Sequence, residues 1–162
     1  MDNLKDVYID QLKDLYSANN QAKKATSDLA KAAQNDKLRR ALERGVAGIE
    51  DGRAKLREII RTHGSDPEGE HCKGMEGLAR EAKAHAIEED FGTPAARDAM
   101  IISQYQRMAH YAIAGYGCVA SYAAHLDLAD EADTLRQMLD TAYDGDRTMT
   151  EIAEEKVNLT AA

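Results

Sequence analysis

The chain reads as an all-α protein, an antiparallel bundle of four long helices with a shorter helix between the second and third. Three observations predict this. Helix formers dominate its 162 residues, with two prolines, one phenylalanine and no tryptophan, which leaves little to build strands from. Turn signals divide it into four long segments and a short one. Each long segment carries apolar residues at alternating spacings of four and three, the pattern of helices packed side by side.

The expected helices run over about 3–34, 37–62, 70–88, 95–126 and 129–157. Asn35-Asp36 separates the first two, and the stretch from Gly64 to Gly69 ends the second. Thr93 is placed to cap the next helix, with Pro94 in its first turn. Asp127 to Asp130 supplies the last break. At 1.5 Å per residue the first and fourth segments each reach about 48 Å, and matched lengths favour antiparallel neighbours. The first seam is Tyr8, Leu12, Leu15, Asn19, Ala22, Thr26, Leu29, Ala33; the second Leu38, Leu42, Gly45, Ile49, Gly52, Leu56, Ile59. The later ones are Ile102, Tyr105, Ala109, Ala112, Tyr116, Val119, Ala123, Leu126, and Leu128, Ala132, Leu135, Leu139, Ala142, Asp146, Met149, Ala153. Leu15, Leu29, Leu56, Ile102, Val119, Leu135 and Leu139 are therefore expected in one continuous core, and Met75 with Leu78 packs the short helix onto it. One domain spanning 1–162 is the expectation at this length.

A net charge of −8 argues against nucleic acid or an anionic membrane surface as partner. The start of the sequence has no basic region followed by an apolar run, and no stretch approaches the ~20 apolar residues of a membrane span, so a cytoplasmic protein is expected. Cys72 and Cys118 lie far apart without metal-ligand spacing and read as unpaired thiols. Nothing resembles a nucleophile with its base, a phosphate-binding glycine loop or a zinc motif.

The middle of the bundle is unusual. With the helices level, Asn19, Gly45 to Gly52, Ala109 to Ala112 and Ala142 to Asp146 share one cross-section. Glycines at 45, 48 and 52 each cost a helix interior about 1 kcal/mol relative to alanine. Either close backbone approach offsets this, or the tyrosines at 8, 16, 105, 111, 116 and 143 fill the space, with Asn19 and Asp146 as partners for buried phenols. Bundles of this size carry di-metal sites at this level. Glycine and alanine offer no ligand, which points away from such a centre.

Four strings in register, DLYSANNQ at 14–21, CKGMEGL at 72–78, RDAMIISQYQRMAHYAIAGYG at 97–117 and DRTMTEIA at 146–153, resemble the YciF-type, ferritin-like bacterial stress proteins. The resemblance implies a ferritin-like bundle, a homodimer and a di-iron-like site of glutamates and histidines. It carries the fold better than the site. Asn19 stands at a family glutamate, Gly45 and Gly48 lie in the family's HLEET stretch, Ala109 and Ala112 replace the glutamates of its EHYE motif, and Ala142 replaces another. His110, Tyr111 and Asp146 remain, with His110 and Asp146 the residual polar candidates. The expectation is a protein without metal, cofactor or catalytic residues, acting as a structural or protein-binding component. One alternative keeps a mononuclear metal site on His110, Asp146 and a third residue that the sequence does not identify, for iron handling or oxidoreduction; another replaces the metal with a small-molecule pocket.

Overall fold

A computed structural model describes all residues 1–162, and no strand interrupts its helices. The helices are α1 (Leu4–Ala32), α2 (Asp36–Thr62), α3 (Lys73–Lys83), α4 (Pro94–His125), α5 (Ala129–Ile152) and the short α6 (Asn158–Ala161). The expected 70–88 helix starts at Lys73 and closes in a π-helical turn, Ala84–Glu88; the last one is interrupted by another, Ala153–Val157.

Local chemistry fixes the boundaries. Asn3 Oδ1 caps α1 by accepting from Asp6 N at 3.0 Å, and Asn35 Oδ1 caps α2 by accepting from Lys37 N and Leu38 N. Thr93 caps α4 with Pro94 behind it, as the sequence indicated. α3 is capped by a thiol, since Cys72 Sγ accepts from Met75 N at 3.3 Å. At the end of α2, Gly64 takes a left-handed φ of 67° while Ser65 N returns to Ile60 O. Asp127 adopts φ 59° between α4 and α5.

Contacts at the two ends establish the topology. At one end Tyr8 Oη donates to Glu131 at 2.6 Å and His63 Nε2 meets the same carboxylate at 3.0 Å, gathering the start of α1, the end of α2 and the start of α5. At the other, Asp98 in α4 accepts from Gln34 N and Asn35 N, and Lys37 pairs with Glu155. Thus α1 and α5 run one way and α2 and α4 the other. The α2–α4 connection must travel the length of the bundle, and it carries α3 against α1 and α4. Cys72 is pinned there, its N–H on Ser17 Oγ at 2.9 Å and its carbonyl accepting from Gln21 Nε2 at 2.9 Å. Met75 is buried and Leu78 packs against the same core. The opposite groove, between α2 and α5, has no such cover, and these two helices meet more sparsely than the α1–α2 and α4–α5 pairs.

The expected continuous core is in fact two clusters. Leu29 and Ile102 belong to one, while Leu15, Leu56, Val119 and Leu135 belong to the other. All six are buried. Leu139 is only half-buried, because the inward stripe of α5 runs through Met138 and Gly145 rather than Leu139 and Asp146. A seam of fours and threes allows either choice, one residue, or about 100° of helix rotation, apart. No helix is long and apolar enough to cross a membrane.

Candidate functional site

The layer between the two clusters is a cavity of about 280 Å³, open between α2 and α5. Asn19, Gly45, Gly48, Ala109, Ala112 and Ala142 all line it, so the sequence placed the right residues at one level. Ala22, Thr26, Met108 and Met149 form one end of the lining, and Tyr116 with Met138 the other. Arg44, Asp51, Lys55 and Asp144 stand at the rim, where Lys55 pairs with Asp51 at 2.7 Å and Asp144 with Arg147.

The glycines make room for phenols. A Cβ on Gly45 would stand 3.1 Å from the Tyr105 hydroxyl and one on Gly145 3.2 Å from it, so that hydroxyl lies between two helices that carry no side chain there. A Cβ on Gly52 would lie 3.2 Å from the Tyr116 hydroxyl, which accepts a 2.7 Å hydrogen bond from Asn19 Nδ2. The helix propensity that α2 loses is thus exchanged for aromatic packing. Of the other tyrosines, Tyr8 and Tyr16 are buried away from this layer and Tyr111 serves α3, donating to Asp14 at 2.7 Å beside Cys72 Sγ. Tyr143 is 42% exposed and fills nothing.

Burial raises the Tyr105 pKa, with the nearby Asp146 charge adding to it, and burial pushes Tyr116 up to about 12 despite the Asn19 hydrogen bond. Both phenols are neutral at physiological pH, which makes them hydrogen-bonding groups rather than anionic metal ligands. Asn19 offers an uncharged amide, whose Nδ2 donates to the Tyr116 hydroxyl. Gly45, Gly48, Ala109, Ala112 and Ala142 have no donor atom in their side chains, and nowhere in the structure do three His, Cys, Asp or Glu groups converge as a metal would need. These residues do not fit a di-metal centre.

His110 and Asp146 meet, but outside the cavity lining: His110 Nε2 lies 3.2 Å from Asp146 Oδ2, and the imidazole is 62% exposed. Asp146 Oδ1 is buried without a partner, and no tyrosine hydroxyl bonds to it. The sequence put Asp146 on the α5 seam; the structure puts Gly145 there instead, turning the carboxylate toward α4. With no third ligand, the mononuclear alternative loses its geometry. The expected α5 seam omitted Gly145 and Met138, which both line the cavity, although Gly145 fell within the expected cross-section from Ala142 to Asp146.

Comparison with known proteins agrees with the architecture. A family model described as "Domain of unknown function (DUF892)" matches residues 3–162. Protein YciF of Escherichia coli (strain K12) is 32% identical over 162 residues, covering 98% of this chain and 95% of that protein. The crystal structure of the E. coli stress protein YciF matches with a TM-score of 0.90 at 30% identity, over 98% of this chain and 99% of that one. YcfI from Rhodopseudomonas palustris matches with a TM-score of 0.86 at 25% identity, over 93% and 94% of the two chains.

Proposed function

Because the chain belongs to the YciF-type DUF892 family, we propose that it is a stress-associated, metal-free and non-catalytic member whose mid-bundle cavity binds a small apolar molecule. The observation that carries this is the replacement of a whole layer: six positions matched to the family's metal-site motifs line one cavity and supply no charged ligand. A bundle acting only through its outer surface gains nothing from such a gap, since the lining forfeits dispersion contacts on one side. Ligand pockets, by contrast, are mostly apolar with a few placed polar groups. Asn19, Tyr105 and Tyr116 are such groups among methyls, glycines and thioethers. On this reading the ferritin-like scaffold works in the cytoplasm, and its charge of −8 keeps it from nucleic acid and anionic membranes.

Titration calorimetry with indane, a neutral two-ring hydrocarbon, tests the cavity, and metal analysis of untagged protein tests its freedom from metal. Indane is expected to bind the native chain and to lose its site in Gly48→Leu. A Cβ there meets only the Thr141 methyl at 3.9 Å, so the new side chain has room to enter the cavity. Absence of binding to the native chain, or equal binding to Gly48→Leu, would remove the reading. So would stoichiometric iron or manganese.

The proposal includes self-association as a homodimer, which the family resemblance supports. Light scattering at high micromolar concentration is expected to give twice the 17.8 kDa chain mass. A monomeric mass under those conditions excludes the dimer.

A further inference from the structure

We infer that the cavity selects an uncharged, carbonyl-bearing ring compound, held by a hydrogen bond from the Tyr105 phenol; this rests on the cavity reading above and names its ligand. Size sets the first limit. The 280 Å³ cavity is roughly twice the ~150 Å³ apolar cavity that takes benzene, which suits a molecule of one or two fused rings. Charge sets the second. The charged lining residues stand at the rim, and the one carboxylate near Tyr105, Asp146, lies outside the lining and faces His110, so an ion carried inward would lose its hydration without touching a counter-charge.

Tyr105 supplies the third limit. The residue is 8% exposed, its hydroxyl faces the cavity between Gly45 and Gly145, and that hydroxyl has no hydrogen-bond partner within the protein. The hydroxyl is open to the cavity space rather than sealed among protein atoms, so its proton is free to be donated to an occupant. A phenol is a good donor and a poor acceptor, and burial keeps this one protonated. The complementary ligand group is therefore an acceptor oxygen, and a ketone or related carbonyl provides one without charge. Thr26 Oγ1, buried without a partner, adds a second polar point in the lining.

The test compares 1-indanone with indane, which differ by the carbonyl, on the native chain, Tyr105→Phe and Gly48→Leu. Removing the phenol hydroxyl is expected to weaken 1-indanone about tenfold, the worth of one hydrogen bond, and to leave indane within about twofold. The carbonyl stretch of bound 1-indanone should fall in wavenumber with the native chain and return in Tyr105→Phe. The variant is expected to fold at least as stably, because the lost hydroxyl bonds to nothing. Equal effects of Tyr105→Phe on both compounds, with no shift in the stretch, overturn the carbonyl inference and leave the cavity standing. Failure of both compounds to bind the native chain, or undiminished binding of both to Gly48→Leu, overturns the cavity reading and this inference with it.

Discussion

Asp98→Ala is expected to lower the unfolding free energy by about 3 kcal/mol, from loss of two charge-assisted hydrogen bonds to backbone. Asp98 is 3% exposed; its Oδ1 accepts from Gln34 N at 2.9 Å and its Oδ2 from Asn35 N at 2.8 Å. One carboxylate in the second turn of α4 thereby clamps the turn that joins α1 to α2, at the positive end of the α2 dipole. The donors are partly open to water, which holds the loss below the full cost of two buried unpaired groups. Asp98→Asn keeps one acceptor oxygen and should fall between. Urea denaturation with an unchanged slope is the measurement, and a melting temperature lower by roughly 6–12 °C should accompany it at this chain length. A loss under about 1 kcal/mol would show that the clamp is not needed to hold the turn.

Asp98 also marks where the sequence stops being readable. The seams were legible because a 3.6-residue period makes apolar spacing a direct image of the buried face, and Asn35, Thr93 and Pro94 were legible because a cap acts within its own turn. Asp98 acts across 63 and 64 residues of chain, on backbone groups that carry no sequence signature. The mid-bundle layer is an intermediate case. Its membership was readable, since Asn19, Gly48, Ala109 and Ala142 sit at matching depths on helices of matched length. Whether the layer closes was not, because that depends on how nearly α2 approaches α5. The phase of α5 failed for a related reason: hydrophobicity alone prefers Leu139 over Met138, yet the helix turns Met138 to the core and leaves Leu139 half-buried. Moving the seam by one residue sends Asp146 toward His110 and Gly145 toward Tyr105.

Restoring carboxylates with Asn19→Glu, Gly48→Glu, Ala109→Glu, Ala112→Glu and Ala142→Glu together is expected to have the largest effect of all. All five positions face the same cavity, so the apoprotein would hold five like charges at short range in a partly desolvated space. Protonation of some of them relieves the repulsion only in part, and the expected loss is about 5 kcal/mol or more, comparable with the whole stability of a domain. Manganese or ferrous iron should reverse much of it, since a metal at a hundred times its dissociation constant returns about 2.7 kcal/mol. Opposite signs in the two conditions distinguish an emptied metal site from a layer that was never able to hold one. If the fivefold variant does not fold without metal, the pair Ala109→Glu and Ala142→Glu, on facing helices α4 and α5, carries the same test at lower repulsion. The readouts are metal content after gel filtration and melting temperature with and without metal. A destabilised variant that gains no metal would mean that the cavity walls lie too far apart for bridging carboxylates. Two metal ions per chain in the unmodified protein would contradict the donor chemistry of a layer built from glycine, alanine and neutral phenols.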